Sequence, residues 1–373
     1  MNLSDLQDIK APVSQSSFSC GMKCERCYLY RYRWGLRPKV AQYTPSADLG
    51  TIYHWLKKEG ADGVEVVRKR VRSIQEKLME RIDAGEDLTG DLARSAGEIT
   101  NLFNKALVMA QIFWEKYPPN PNLITLCREE AIECEITGLP AKGRLDHIQM
   151  NGNTGVVWIR DEKSSSLSFA ELCTGYEFSI QCRWYRLLAE AWLKRKKEKI
   201  KKDATDIGIG LPTARAEVSG FVLDYMMFPG IKFCDSDRDF TEEPHTFKSG
   251  KRKGETEISK KYFGEPKFEN YLKRVKQWYI DNMDSDPIRS MAILFSEPTL
   301  PDEMMPQIER IRRLYTADPV PSNFPRDITR SHCVAYRRVC PYYELCSADE
   351  TIWPDIIERL FTAGNYDHQG DKE

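Results

Sequence analysis

The stretch from Gly143 to Ser166, GRLDHIQMNGNTGVVWIRDEKSSS, contains two alternating apolar and polar runs on either side of a turn. The turn, NGNTG at residues 151–155, carries the Asn-Gly step that favours a β-hairpin. Asp146 lies in the first run, and Asp161 and Lys163 lie in the second. Because side chains alternate along a strand, Asp161 and Lys163 face the same way, and pairing of the runs places Asp146 beside Asp161.

This arrangement predicts two carboxylates and one ammonium group at one edge of a sheet. Carboxylate oxygens are suitable ligands for Mg²⁺ or Mn²⁺, and a lysine beside a metal-bound water orients that water or stabilises developing negative charge. A D-x-K tripeptide alone also fits a surface hairpin with scattered charges. Gln181 and Tyr185, at i and i+4 on one face of the next predicted helix, and His54 in LGTIYH favour the site over that hairpin.

The sequence around this stretch predicts an α/β fold with a β-β-β-α-β centre. The three consecutive strands are expected in AIECEI, AKGRLDHIQM and VVWIRDEKSSS. A helical pattern follows from Ser168 to Lys199, and ARAEVSGFVLDYMMF predicts the fourth strand. We therefore expect a mixed sheet with Asp146 inside the second strand.

Outside this centre the sequence predicts mainly helix. Apolar residues recur at three- and four-residue steps over residues 64–116, with a break at Gly85–Gly90. Residues 232–262 are polar, charged and glycine-containing, and predict a flexible loop or insertion. Residues 266–283 and Met304–Leu314 predict two more helices. We divide the chain into an N-terminal segment with His54 (1–60), a helical subdomain (61–128), the core (129–232), a loop and helical insertion (233–330) and a C-terminal cysteine segment with a charged tail (331–373).

Bulk composition is that of a globular protein, with 373 residues, 41% hydrophobic and 30% charged. No stretch approaches the ~18–20 apolar residues of a membrane helix, and MNLSDLQDIK lacks the apolar centre of a secretory signal. We therefore expect an intracellular, cytoplasmic protein without a membrane partner. The net charge of −1 gives no general attraction for nucleic acid, although local basic patches suffice for binding.

Eleven cysteines also need an explanation, and six of them form two groups. Cys20, Cys24 and Cys27 form C-x3-C-x2-C, while Cys333, Cys340 and Cys346 form C-x6-C-x5-C. In an intracellular protein, such groups indicate metal binding more than disulfides. The first group alone matches radical S-adenosylmethionine enzymes, but their barrel of repeated strand–helix units does not follow it. A zinc site made by the second group and one N-terminal cysteine is another alternative.

Taken together, the motifs resemble the PD-(D/E)xK nuclease superfamily, and specifically its RecB-like branch with an iron–sulfur cluster, which includes AddB and the CRISPR-adaptation exonucleases. The matching motifs, in chain order, are L-G-x-x-x-H at Leu49–His54, G-x-L-D at Gly143–Asp146, D-x-K at Asp161–Lys163 and Q-x-x-x-Y at Gln181–Tyr185. The resemblance implies a restriction-endonuclease-like core and metal-assisted hydrolysis of a DNA phosphodiester.

By position, the resemblance implies that Asp146, Asp161 and His54 are metal ligands, that the carbonyl of Glu162 touches the metal, and that Lys163 is the catalytic lysine. Gln181 and Tyr185 would position the DNA and the active site. The chain departs from the family at Glu162, where an apolar or aromatic residue is usual. Alternation sends that side chain to the opposite face, where a basic partner is one explanation.

The resemblance also implies that Cys24 completes a 4Fe-4S cluster with Cys333, Cys340 and Cys346. This cluster would act as a structural clasp between distant parts of the chain, with Cys20 and Cys27 outside it. The following run predicts an arginine–aromatic helix that faces DNA, with candidate contacts at Tyr28, Arg31, Tyr32 and Arg33.

The resulting hypothesis is a Mg²⁺- or Mn²⁺-dependent DNA exonuclease, acting on single strands or strand ends in recombination, repair or phage DNA processing. The alternatives are an inactive or partner-dependent DNA-binding subunit and a radical enzyme. The sequence contains no G-x4-G-K-[ST] motif, so any unwinding would come from a helicase or recombination partner.

Overall fold

The structure is a computed structural model. It describes residues 6, 8–39, 45–87, 90–206, 218–232, 234–251, 253–295, 302–327, 333–335 and 338–364. For residues 197–206, 303, 335 and 338 it describes the backbone only.

The N-terminal third is helical. A capping box between Ser14 and Ser17 starts the first helix, and Gly85 and Gly90, both with positive φ, separate the two longest helices of this part. The predicted helical block with its glycine break is thereby confirmed. The elements are α1 (Gln15–Lys23), α2 (Glu25–Tyr28), a π-helical segment (Leu29–Arg33), β1 (Leu36–Pro38), α3 (Pro45–Glu59), α4 (Val64–Asp83) and α5 (Asp91–Lys116).

The middle third contains most of the sheet and one long helix. The elements are β2 (Leu123–Arg128), β3 (Ala131–Ile136), β4 (Leu139–Arg144), β5 (His147–Asn151), β6 (Val157–Ser165), α6 (Phe169–Cys173), α7 (Ile180–Asp206) and β7 (Val218–Met227). β5 and β6 form the predicted hairpin, with His147 opposite Arg160. The single helix expected from Ser168 is instead two helices, because the chain leaves α6 at Thr174 and turns at Gly175 before α7.

The last third combines a hairpin with short helices. The elements are β8 (Asp239–Thr246), β9 (Thr256–Phe263), α8 (Phe268–Asp281), β10 (Ile288–Leu294), α9 (Met305–Thr316), β11 (Val334–Ala335), β12 (Arg338–Val339), α10 (Tyr343–Ser347), α11 (Trp353–Leu360) and β13 (Phe361–Ala363). The two predicted helices of this part are confirmed as α8 and α9.

The central sheet has five strands in the order β10-β7-β6-β5-β2. The pair β6–β7 is parallel and the other three pairs are antiparallel, so the predicted mixed α/β sheet is confirmed. Two details differ from the prediction. Among the described strands, β3 pairs with β4 alone, in a separate hairpin, and the sheet gains β2 and β10. These five strands do not form the barrel of repeated strand–helix units that a radical enzyme requires.

Residues 232–262 are not the predicted loop, because most of them form the β8–β9 hairpin. Charged residues interrupt the alternation of apolar and polar residues that would predict strands here. Some of these charges are complementary across the hairpin, where Glu242 faces Lys260. Phe240 and Tyr262 also face each other, with ring centroids 6.0 Å apart. Opposite charges and aromatic pairs at such positions favour strand pairing.

Two hydrophobic clusters pack on the sheet. One joins the inner residues of β5, β6 and α7 to the N-terminal segment, α9 and α11. The other packs α3, α5 and α8 against Met226 and Ile288. The two ends of the described chain also meet, because β1 pairs with β13 through Leu36 and Ala363. No described helix has both the length and the apolar character needed to cross a membrane.

Candidate active site

Asp146 and Asp161 lie on adjacent parts of the central sheet. Asp161 is in β6 and is 1% exposed, whereas Asp146 lies in the link between β4 and β5 and not inside a strand as predicted. The backbone N–H of Glu162 donates a hydrogen bond of 2.8 Å to Asp146 Oδ2. This bond fixes the first carboxylate against the strand that carries the second.

Three side chains contact Asp161. Lys163 Nζ lies 2.6 Å from its Oδ2, as expected for side chains on the same face of a strand. Gln181 Nε2 donates to Oδ1 at 3.3 Å, and the Tyr176 hydroxyl donates to Oδ2 at 3.1 Å. Tyr176 was missed in the sequence because it lies in a short 3₁₀ turn inside what read as one continuous helix.

His54 reaches the carboxylates from α3. Its Nε2 lies 2.6 Å from Glu129 Oε1 and 3.4 Å from Asp146 Oδ1. Glu129 was also missed in the sequence. It follows β2, and its backbone N–H donates to the Asp146 carbonyl at 3.0 Å. We call His54, Glu129, Asp146, Asp161 and Lys163 together the carboxylate centre.

Glycines in two of the motifs allow the close packing behind this centre. A Cβ at Gly50 would lie 3.2 Å from Ser164 Oγ, so glycine lets α3 approach β6 closely. A Cβ at Gly143 would lie 2.4 Å from Leu188 Cδ1, so glycine lets β4 approach α7. The L-G and G-x-L-D patterns thus bring His54 and Asp146 to the sheet.

A cavity of about 1110 Å³ opens onto the carboxylate centre. Tyr185 is on its wall, near Asp161 and Lys163, one helical turn after Gln181. Its lining also contains polar and basic residues, namely Lys10, Ser14, Gln15, Ser16, Lys142 and Arg144. Arg144 Nη1 lies 4.0 Å from Glu129 Oε2, so cations and carboxylates share this cavity.

Charge crowding shifts the pKa values of the centre. Burial and then the Asp161 charge raise the pKa of Asp146 well above its usual range. Burial alone would lower the pKa of Lys163, but Asp161, Tyr185 and Asp146 outweigh it and raise that pKa, so the amine is protonated. Burial opposes protonation of His54 too, yet Asp146 and the 2.6 Å contact with Glu129 raise its pKa to about 9.

The donor set suits a hard divalent cation. It offers three carboxylates, the oxygen ligands that Mg²⁺ and Mn²⁺ prefer, and one imidazole nitrogen, which transition-metal ions bind more readily than Mg²⁺. Glu129 Oε1 is buried and, within the described residues, accepts no well-directed hydrogen bond although His54 Nε2 is close. In the described ranges, no three His, Cys, Asp or Glu side chains are already arranged as a metal site. The types of donor atom therefore fit a metal ion. In this structure, Nε2 of His54 and Oε1 of Glu129 contact each other directly.

The Glu162 side chain lies on the opposite face of β6, as alternation predicted, and it meets basic groups there. Its Oε1 is 3.8 Å from Lys57 Nζ and 3.7 Å from His147 Nε2. Burial would raise the pKa of Glu162, but Lys57, His147 and His54 lower it below its usual value. This departure from the family pattern therefore has a charged partner in the fold.

Both cysteine groups meet in the core. The Cys27 thiol has hydrogen-bond contacts with Cys20 and Cys340, and its pKa is raised well above the usual value, first by the Cys20 contact. Burial raises the pKa of Cys346, and the neighbouring Cys24 and Cys333 raise it further. The expected four cysteines thus come together, and Cys20 and Cys27 join them. We call these residues the cysteine cluster: Cys20, Cys24, Cys27, Cys333, Cys340 and Cys346.

The arginine–aromatic run after Cys27 does not form the expected DNA-facing helix. Tyr28, Tyr32 and Arg33 are buried, and only Arg31 is partly exposed. Arg33 pairs with Asp8 at 2.7 Å and donates to the carbonyls of Leu314 and Ala317. The aromatic rings that suggested base stacking instead pack in the hydrophobic core, so Tyr28, Tyr32 and Arg33 are not surface contacts for DNA.

Comparison with known proteins agrees with this geometry. No curated protein matches the sequence significantly. Residues 12–347 match the family model of the PD-(D/E)XK nuclease superfamily, and this range includes the whole carboxylate centre and all six cysteines of the cysteine cluster. Because the match covers far more than half of the chain, the protein belongs to the PD-(D/E)XK nuclease superfamily.

Proposed function

We propose that this protein is a DNA exonuclease of the RecB-like branch, with Mg²⁺ or Mn²⁺ at the carboxylate centre and a structural 4Fe-4S cluster at the cysteine cluster. The superfamily itself implies a metal-dependent nuclease, and its members typically use these two ions. The chemistry is supported by one observation above all: Asp146, Asp161 and Lys163 share a cavity wall with His54 and Glu129. The exonuclease mode rests on the RecB-like order of the motifs.

The ligands of the catalytic ion would be Asp146, Asp161 and His54, with the Glu162 carbonyl and Glu129 nearby. When bound, such an ion lowers the pKa of a water molecule and neutralises phosphate charge. The protein holds the two aspartates in place through the Glu162 N–H on Asp146 and the Gln181 and Tyr176 donors on Asp161. These bonds limit the motion of both carboxylates before substrate arrives.

Lys163 would act as a cation. Asp161, Tyr185 and Asp146 raise its pKa against the effect of burial, so Nζ can donate to a phosphate oxygen or orient a water. Gln181 contacts Asp161, and Tyr185 borders the same cavity. We assign both residues to alignment of the DNA strand with the carboxylate centre.

The cations in the cavity lining are suited to the DNA backbone beyond the reacting phosphate. Lys10, Lys142 and Arg144 line the cavity together with Ser14 and Ser16. Lysine, arginine and serine are common phosphate contacts that position DNA without reading its sequence. A strand bound along these residues would reach the carboxylates with its phosphates neutralised.

The test is digestion of DNA by anaerobically purified protein with Mg²⁺ or Mn²⁺. We expect nucleotide release from end-labelled linear strands, no cleavage of circular single strands of the same sequence, and no release by Lys163→Ala. Cleavage of circles as well would retain the nuclease and reject the exonuclease mode. Equal inactivity of the wild-type and Lys163→Ala proteins, with DNA binding retained by both, would favour a DNA-binding subunit that needs a partner.

The iron–sulfur cluster has its own test. Its support is the gathering of buried thiols whose pKa values are raised by one another, since coordinated iron would replace this thiol crowding with favourable bonds. We expect brown protein that contains about four irons and bleaches in Cys24→Ser. Bound zinc in a colourless wild-type protein would reject the cluster in favour of a zinc site.

In the cytoplasm, a helicase or recombination partner would supply unwound strands for recombination, repair or phage DNA processing.

A further inference from the structure

Glu162 lies in sequence between Asp161 and Lys163, but its side chain is on the other face of β6. That carboxylate is 4% exposed, and its two oxygens have different surroundings. Oε1 faces the Lys57 ammonium group and Nε2 of His147. Oε2 lies 3.6 Å from His54 Nδ1 and is buried without a hydrogen-bond partner among the described residues. One oxygen is therefore held by Lys57 and His147, while the other is turned towards His54.

The His54 ring connects the two faces of the sheet. Its Nε2 is on the cavity side, beside Glu129 and Asp146, and its Nδ1 is on the side of Glu162. A neutral imidazole binds a metal through one nitrogen and carries its proton on the other. In metal sites, that second nitrogen usually donates to a carboxylate or carbonyl, which fixes the tautomer and the ring orientation.

The Glu162 carboxylate is held by a buried array of charges. Lys57 Nζ is within 4.0 Å of both Glu162 and Asp224, and it lies 3.3 Å from the centroid of the Phe113 ring. Asp224 is paired in turn with Arg160 Nε at 2.9 Å. Asp224 is as buried as Glu162 and shares Lys57 with it, yet its described partners are Lys57, Arg160 and Ser290 and not His54.

We infer that Glu162 is a positioning residue, which accepts the Nδ1 proton of His54 and thereby presents Nε2 to the divalent ion at the carboxylate centre. Lys57 and His147 hold the Glu162 carboxylate in place for this contact. The same residue also holds Asp146 through its backbone N–H, so Glu162 orients two candidate ligands from opposite sides of one strand. This inference rests on the proposed metal-dependent function.

A purely structural role makes a different prediction. If Glu162 only neutralised Lys57, then Asp224, the other carboxylate beside Lys57, would be equally important for metal binding. Glu162→Gln and Asp224→Asn therefore form a matched pair. Each removes one buried charge next to Lys57 with little change of shape, and only the first alters the group that faces His54. Glu162→Gln also retains the backbone bond to Asp146.

The first measurement is Mn²⁺ affinity without DNA, from the electron paramagnetic resonance of free Mn²⁺ in variants checked by circular dichroism. We expect Glu162→Gln to weaken binding about 10- to 100-fold, as for other partners of metal-bound histidines. Asp224→Asn should keep near-wild-type affinity. In a His54→Ala background, Glu162→Gln should add no further loss. Equal losses in Glu162→Gln and Asp224→Asn, or no loss in Glu162→Gln, would overturn the inference.

The second measurement needs no variant of Glu162, so it holds even if Glu162→Gln does not fold. Nitrogen-15 spectra of the imidazoles in Mg²⁺-loaded wild-type protein report the His54 tautomer, and His54→Ala identifies its signals among the five histidines. We expect a proton on Nδ1 and none on Nε2, and a proton on Nε2 would overturn the inference. A wild-type protein that neither binds Mn²⁺ nor cleaves DNA would instead reject the proposed function.

Discussion

The carboxylate centre and the cysteine cluster both bring together residues that are far apart in sequence, but their surroundings differ. The carboxylate centre borders a cavity of about 1110 Å³, and its atoms are oxygens, imidazole nitrogens and one ammonium group. In the cysteine cluster, Cys20, Cys24 and Cys27 are each less than 10% exposed, and Cys333, Cys340 and Cys346 are half-buried. The carboxylate centre is open to a ligand from solution, whereas most of the cysteine cluster packs against the hydrophobic core.

This difference separates function from stability. A change at the cavity wall leaves the hydrophobic clusters intact, so its main effect should be on binding and chemistry. A change in the cysteine cluster affects the junction between the N-terminal segment and the C-terminal helices, because Tyr30 there packs against Tyr342 and Trp353. Its main effect should be on folding. Substitutions in the two sites therefore test this separation.

Asp161→Asn should abolish most of the activity and little of the stability. The substitution keeps the shape of the side chain but removes the charge that faces Lys163 and the ion. Loss of several kcal/mol of transition-state stabilisation lowers the single-turnover rate on the order of 10³-fold. The measurement is the cleavage rate with saturating Mn²⁺, with a thermal melt as the check on folding. A rate within tenfold of wild type would mean that the carboxylate centre is not the active site.

Cys340→Ser should show the opposite pattern, with a large loss of stability. The proposed cluster would close a loop of some three hundred residues and thereby constrain the unfolded chain, and loop-closure arguments for disulfides give about 5–6 kcal/mol for links of this length. The measurement is urea unfolding of anaerobic protein. Cys234→Ser is the control, because Cys234 is exposed and outside both cysteine groups. Equal stability of the two variants would contradict the clasp.

Arg33→Met should destabilise the fold without weakening DNA binding. It removes the partner of Asp8 and leaves the Leu314 and Ala317 carbonyls without their donor, which costs about 2–3 kcal/mol. The control is Arg94→Met, an exposed helix residue paired with Asp91, which should change stability by about 0.5 kcal/mol or less. Weaker DNA binding by folded Arg33→Met would restore the DNA-facing interpretation of this segment.

Lys142→Ala should have the smallest effect, limited to substrate binding. Loss of one phosphate contact raises KM for DNA, leaves kcat unchanged, and lowers the slope of log affinity against log salt by about one. Lys276→Ala on α8, an exposed lysine that does not line the cavity, is the matched control. Identical salt slopes for both variants would place the DNA path elsewhere.

Local patterns in the sequence were sufficient for much of the candidate site. The alternation of β6 correctly placed Asp161 and Lys163 on one face and Glu162 on the other, because strand geometry depends only on neighbouring residues. The Asn-Gly turn correctly predicted the β5–β6 pair. Glu129 and Tyr176 were not predicted, because strand pairing next to β5 and a break between two helices bring them to the centre. Neither the strand pairing next to β5 nor the break between the two helices produces a pattern among neighbouring residues in the sequence.

Spacing along the chain was enough to predict the motifs of the carboxylate centre, the α/β class and the two groups of cysteines. Which of these groups face solvent depends on the tertiary structure. It buried the arginine–aromatic run that looked like a DNA surface, and it added Cys20 and Cys27 to the cysteine cluster. Burial depends on what packs on both sides of a segment, and for residues 28–33 those partners are α9 and the C-terminal helices. They lie roughly 270 to 330 residues away in the sequence.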